Sequence, residues 1–227
     1  MEDATSDAAR ALEEVDAIRR RVINVVGHAL RTPVTTLCGM AESLALADDP
    51  ATRAAMAEGV VRNARLVEGL LDQLLVAAGV SAVLPVGDAV VIEVAPAVDE
   101  TSRRLGSSAV KLKSDSAVVR ARPAAVEQIL LLVLDNAVKY GDGDVIVTTT
   151  STGTGTALDV QSFGGEQSDE EMDQAFELFY RGEHAVMRSA GIGIGLTVAR
   201  TLARQEGGDV TMFRRDGGVV TRIELLS

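Results

Sequence analysis

"LLLVLDNAVKYG", residues 130–141, runs apolar as far as Leu134 and then turns polar at Asp135, Asn136 and Lys139. With the apolar "AAVEQI" ahead of it and Gly141 behind, the stretch predicts a helix closed by a glycine cap. Asn136 and Lys139 are three residues apart and therefore share one side of an otherwise apolar helix. An amide oxygen there can hold a metal ion, and a lysine amine can meet phosphate. The alternative is structural: Lys139 complements the helix dipole and Asn136 caps locally. Both readings stand on these residues alone.

The flanks of this helix alternate in a different way. Upstream, "VVIEVAPAVDETSRRL" reads as a short strand running into a helix, and "VKLKSD" alternates like a strand. Downstream, "VIVTTTSTGTGTALDVQSF" reads as two strands around a glycine and threonine turn. A helix at 195–206 follows, then the strands "DVTMFRR" and "GVVTRIELL" joined at Asp216-Gly217-Gly218. Strands and helices in this order predict an α+β sandwich with helices on one face of the sheet.

The chain before it has the helical period instead. Leu12, Val15, Ile18, Val22, Val25 and Val26 recur at steps of three and four, which predicts a long amphipathic helix from Asp3 to Ala47. Asp49 stands as a cap and Pro50 at the first position of a second helix, which runs to about Ala78 with one apolar face broken only by Asn63. A single hairpin cannot bury two such faces, whereas two hairpins make a four-helix bundle, so a homodimer is expected. "AGVSAVLPVGD", residues 78–88, reads as a linker, which places the domains at 1–81 and 82–227.

Composition narrows the function. Over 227 residues the net charge is −11, which excludes a general nucleic-acid binder because phosphate backbones are held by clustered lysine and arginine. No apolar run is long enough to cross a bilayer, nothing at the start resembles an export signal, and the single Cys38 cannot form an internal disulfide. A cytoplasmic setting without a membrane segment follows as the expectation.

Three further stretches carry chemistry. "GIGIGLTVARTL" has Gly191, Gly193 and Gly195 ahead of an apolar helix, a pattern that suits a phosphate cradle and equally an ordinary turn. "FELFYRG", residues 176–182, concentrates aromatics beside Arg181, which suits either closure over a nucleotide or a plain aromatic anchor. His184 just after it reads as a solvent-exposed residue. "GHALRTPVTTL", residues 27–37, offers the nucleophile His28, then Arg31, Thr32 and a proline that should kink or interrupt the helix.

Taken in order, these motifs resemble the transmitter region of bacterial two-component histidine kinases, over residues from about 10 to the end. "GHALRTPVTTL" looks like the phosphoacceptor motif, "LDNAVKYG" the asparagine motif, "FELFYRG" the phenylalanine motif and "GIGIGLTVARTLARQEGG" the glycine-rich motif. The resemblance implies a dimerisation and phosphotransfer bundle followed by an ATPase fold shared with gyrase and related chaperones. It implies His28 as phosphoacceptor, flanked by Arg31 and by Thr32 at a position that helps orient water for dephosphorylation. It implies ATP and magnesium as cofactors, with nucleotide contacts from Asn136, Lys139, Tyr140, Arg181, Gly191, Gly193, Gly195 and the Ser162 position, and with Asn136 at the metal. The implied partner is the aspartate of a response regulator receiver domain.

The chain departs from the family at catalytic positions. An acidic residue follows the phosphoacceptor in the family, where general-base help is worth about 10²–10⁴-fold; here the position is Ala29. Four residues before Asn136 the family has a second asparagine, and this chain has Leu132. In "VQSFGGE" the aspartate that reads the adenine amino group is replaced by Ser162, and the second glycine by Glu166. Three functions remain in play: a degenerate kinase fold working as a phosphorelay protein, an ATP-dependent kinase with an altered adenine pocket, and a scaffold without phosphate chemistry.

Overall fold

The computed structural model describes residues 26–27, 29–77, 87–113, 117–164, 167–182 and 193–227. Chain contacts divide it into two compact units, Met1–Asp72 and Gln73–Ser227. The first half of the long N-terminal helix expected from the sequence, most of the 78–88 linker, His28, Glu166, His184 and Gly191 lie outside the described residues.

The first unit is a helical hairpin. Its first helix, α1, covers residues 29–46 and α2 is Pro50–Ala77. The turn forms as its residue types dictate: the Asp49 carboxylate accepts from the Thr52 N–H at 2.8 Å and from the Thr52 hydroxyl at 2.7 Å, and Pro50 opens the helix. These hydrogen bonds, the hydroxyl's first, hold the Asp49 carboxyl below its ordinary pKa. α1 is not interrupted at Pro33, whose buried ring packs although its missing N–H removes one helical hydrogen bond. Close approach of the two helices is set by Gly59, where a Cβ would stand 2.5 Å from the Met40 sulfur. The Asn63 amide, the polar break in the apolar face, donates to the Gly59 carbonyl at 2.9 Å.

The second unit is the α/β sandwich the sequence predicts. A five-stranded sheet in the order β2-β4-β5-β7-β6 is formed by β2 (Val110–Lys113), β4 (Val145–Ser151), β5 (Gly155–Phe163), β6 (Asp209–Arg215) and β7 (Gly218–Leu226). Only β2–β4 is parallel. The helices α3 (Val94–Arg104), α4 (Pro123–Tyr140) and α6 (Gly195–Gln205) close one core with the inner face of the sheet, centred on Ile129, Leu130, Leu134, Leu202 and Ile223. Asp216 and Gly217 both take positive φ, +47° and +74°, as a tight hairpin turn requires.

Two elements escape the sequence reading. β3 (Val118–Ala121) pairs antiparallel with β1 (Val90–Glu93) as a separate two-stranded sheet. α5 (Asp169–Gln174) is short and begins with a complete capping box, in which Ser168 and Glu171 satisfy each other's backbone N–H groups. The glycine at the end of α4 is also needed for a different reason than expected. Gly141 has φ −82°, so no left-handed cap is formed; a Cβ there would meet the Ala137 carbonyl at 2.6 Å and the Ser162 Cβ at 2.9 Å.

Outside the core, charge is managed by dense ion pairing. Asp159 is 4% exposed on the outer sheet face and is held by Arg222 at 2.7 Å and Arg215 at 2.6 Å. Burial pushes its carboxyl upward, but the two guanidiniums outweigh that and hold it below the ordinary carboxylate range. Arg122 at the start of α4 reaches Glu206 at the end of α6 at 2.6 Å, tying the two helices end to end.

Candidate functional site

Two groups of motif residues are assembled in the α/β unit. The first lies where α4 ends against β5. Gly141 abuts Ser162, the Asp142 N–H donates to the Phe163 carbonyl at 2.5 Å, and the Asp142 carboxylate lies against Gly164, where a Cβ would sit 2.4 Å from it. Gly164 has φ +93°, so the loop after β5 needs glycine both for its backbone and for this contact. Ser162 is half-buried at the site's edge.

The second group joins the aromatic and glycine motifs. The Phe179 N–H donates to the Gly193 carbonyl at 2.8 Å, and Phe179 itself is held at φ +66°. Gly193, at φ +73°, is wedged so that a Cβ would lie 2.4 Å from the Tyr180 carbonyl and 3.0 Å from the Arg181 Cγ. The Thr197 hydroxyl donates to the Phe176 carbonyl at 2.8 Å, and the Arg200 guanidinium lies 4.8 Å from the Phe176 ring centre while pairing with Asp209 at 2.9 Å. Burial raises the Asp209 carboxyl, but hydrogen bonds from Arg200 and Arg204 take it below its ordinary value.

α6 therefore starts next to Arg181, and its N-cap residue, Ile194, makes no side-chain capping hydrogen bond. The first-turn N–H groups and dipole of a helix make such an end a favourable place for an anion. α4 meets it at Leu132, whose Cδ2 is 3.6 Å from where a Gly195 Cβ would be. Asn136 is half-buried one turn further along α4, and Tyr140 is half-buried one turn beyond that. Lys139, at the exposed end of the helix, is turned to Asp135 at 2.6 Å. The structure thus brings Gly193, Gly195 and Arg181 together, with Asn136 beyond Leu132 on the neighbouring helix.

Magnesium at a nucleotide site is held mainly by phosphate oxygens and water with one or two protein oxygens, and here Asn136 could supply one such oxygen. Leu132 is 8% exposed and puts hydrocarbon one turn before Asn136, leaving Asn136 as the amide on this stretch of α4. Among the described residues no three His, Cys, Asp or Glu side chains converge on a metal position. In the hairpin, Arg31 and Thr32 are exposed on α1, and the Thr32 carbonyl accepts from the Thr36 hydroxyl at 3.0 Å.

Sequence reasoning missed Thr197, Arg200 and Asp142. The first two are three residues apart on α6 and so share a face, a signal as readable as that of Asn136 and Lys139. Nothing in the sequence marks Asp142, because its position depends on how β5 runs back past α4.

Comparison with known proteins agrees with this architecture. Residues 121–226 match the family described as histidine kinase-, DNA gyrase B-, and HSP90-like ATPase. The chain is 30% identical to the sensor protein CutS of Streptomyces coelicolor over 98% of its own length and 56% of that protein's. It is 29% identical to the sensor protein KdpD of Escherichia coli over 98% of its own length and 26% of that protein's. The chain thus spans about half or less of these relatives. Among solved structures, the Acinetobacter baumannii histidine kinase AdeS superposes with a TM-score of 0.62 at 20% identity, over 88% of this chain and 97% of that one.

Proposed function

Because the chain is built as a two-component histidine kinase transmitter region, we propose that it carries phosphate between signalling partners through His28, without depending on ATP. The neutral imidazole attacks the phosphorus of a partner's aspartyl phosphate. An N–P bond forms as the P–O bond breaks, and the partner's carboxylate leaves. Transfer to a response regulator aspartate is the same step reversed. Neither direction requires an acidic residue at position 29. Thr32, exposed one helical turn on, stands at the position that would orient water in the hydrolytic alternative.

The observation that carries this reading is Leu132, sealed into the core beside Gly195 at a position where the family usually has a second asparagine near the metal. Ser162 in place of the adenine-reading carboxylate supports it. The hairpin works as a dimer in this reading, with residues 1–81 as the phosphotransfer domain and 82–227 as an ATPase-type domain kept for docking and regulation. The test is phosphoryl labelling of the purified chain by a phosphorylated receiver domain. His28→Ala is expected to abolish it, and labelling that persists overturns the assignment.

A second reading, an ATP-dependent kinase, is favoured by one feature: the start of α6 beside Arg181, where the N-cap residue Ile194 gives no side-chain cap. Calorimetric titration with ADP and magnesium separates the two. Saturable micromolar binding supports the kinase, and no binding at millimolar nucleotide supports transfer alone.

A further inference from the structure

Strand β1 has one open edge. In its antiparallel register with β3 the bonded pairs are Val90–Ala121 and Ile92–Val119, in step with the Val94 N–H on the Ala117 carbonyl at 2.9 Å. The N–H and C=O groups of Val91 and Glu93 therefore point away from β3, and among the described residues no strand lies on that side. Val91 is also 67% exposed. Open edges are commonly blunted by lysine, as at β2, where the exposed Lys111 and Lys113 guard the end of the main sheet. In β1 the only charge is Glu93, its last residue.

The chain leading into this edge has the pattern of a strand that would fill it. Residues 78–86 lie outside the described residues, and the chain re-enters at Gly87, three residues ahead of β1. Gly87 has φ +124° while Asp88 stays out of the left-handed region, the combination that a two-residue type II′ turn requires. With Gly87-Asp88 as that turn, Val86 faces Ala89, Leu84 faces Val91 and Ala82 faces Glu93 as bonded pairs. These partners in β1 are the ones whose backbone groups point to the open edge. Pro85 falls opposite Val90, where an N–H would point outward, so its missing donor costs no ladder bond. A shift of one residue would set Pro85 against Val91 and lose a bond, so the proline fixes the register. In that register Leu84 shares a face with Val91 and covers it.

We propose that the chain's own residues 82–86, "AVLPV", occupy this edge, added antiparallel to β1 as a third strand of the small sheet. A segment tethered through two turn residues reaches the edge at a far higher effective concentration than a free peptide, which favours it over a second copy or a partner chain. The pairing has a consequence for how the two units are joined. Unpaired, the nine residues 78–86 lead from Ala77 of α2 to Gly87; paired, only the four residues 78–81 lead from Ala77 to the new strand. Fully extended, these reach about 30 Å and about 14 Å respectively. Pairing at β1 thus regulates the tether between the hairpin and the α/β unit, a role that does not rest on phosphate chemistry at His28.

Hydrogen exchange of the full chain, followed amide by amide by NMR, tests the pairing. The Val91 and Glu93 amides are expected to exchange about ten-fold or more below open-chain rates, to an extent independent of protein concentration. Leu84→Pro removes a donor to the edge, and Gly87→Val removes the φ the turn needs. Each is expected to return Val91 to open-chain exchange while Ile92, bonded to β3, stays protected. A Cys38→Ser chain carries the second measurement. Mild oxidation should link Pro85→Cys to Val90→Cys, which share a face, and should not link Leu84→Cys to Val90→Cys, which do not. Equal linking of both pairs, or open-chain exchange at Val91 and Glu93 in the wild-type chain, overturns the proposal. Protection that appears only as concentration rises assigns the edge to a second copy and overturns it as well.

Discussion

The two units handle apolar surface in opposite ways. Every buried hydrophobic residue of the core among those described lies at Val94 or beyond, while the hairpin leaves Val34, Val61, Leu66 and Leu71 exposed. The α/β unit leaves large apolar side chains open chiefly on its two-stranded sheet, at Val90, Val91 and Val118. One unit thus completes its own core, whereas among the described residues of the other the large buried apolar cluster is missing. The lesson concerns what stabilises each. Helices of this kind draw most of their stability from packing rather than propensity, so on the proposed dimer reading the hairpin's stability is expected to depend on association and the sandwich's is not.

The comparison is broken most forcefully at Asp159. Asp159→Ala removes the anion between Arg215 and Arg222, and breaking a buried pair this way costs about 3–5 kcal/mol; the low end is expected because both arginines are about one-third exposed and can reach water. Denaturant unfolding of the α/β unit checks it, with a midpoint that should not move with protein concentration. The pH dependence follows from the depressed folded pKa of this aspartate. Its contribution is complete above the unfolded value of 3.8 and is lost as pH falls through the lower folded value. The gap between wild type and Asp159→Ala is therefore constant near neutrality and narrows in acid below about pH 4.

Gly193→Ala comes next. A side chain there must adopt φ +73° and meet the Tyr180 carbonyl, and a cost of about 1–3 kcal/mol is expected. The loss should appear in the same transition as that of Asp159→Ala and leave self-association through the hairpin unchanged. Weaker dimerisation in this variant would show that the two units do not keep separate accounts of stability.

How much of this was legible in the sequence differs with the range of the interactions involved. The helical period, the Asp49-Pro50 turn and the Asp216-Gly217 hairpin are local, and residue types a few positions apart determine them. β3 was missed because "SAVVRARP" is short and its partner β1 lies far back in the chain, so no local alternation distinguishes it from a loop. α5 was missed although "SDEE" carries the capping-box signature, because its short length left no apolar period to read. In the site, the motifs marked Asn136, Arg181 and the glycines as candidates, and of these the structure brings Arg181, Gly193 and Gly195 together. That Leu132 would be sealed beside Gly195, or that Lys139 would turn to Asp135, depends on how α4 meets α6 and on a local ion-pair choice that spacing alone leaves open.

The smallest effect tests the hairpin from its closed end. Asp49→Ala removes the carboxylate that accepts from Thr52 twice, leaving a first-turn N–H of α2 to water. The group is fully exposed, so its loss is expected only as a slight drop in helix content and in the thermal midpoint of the hairpin. In a unit whose core was complete, fraying at one helix start would stay local. Here the same turn aligns α1 with α2, through the Arg53 guanidinium on the Ala47 carbonyl at 2.6 Å as well as the cap, and it therefore aligns their exposed apolar residues too. Asp49→Ala should accordingly weaken dimerisation measurably while leaving unfolding of the α/β unit untouched, and Asp49→Asn, which keeps an accepting oxygen, should restore most of it. Equal dimerisation by all three chains would mean that the Met40–Gly59 contact alone holds the hairpin in register.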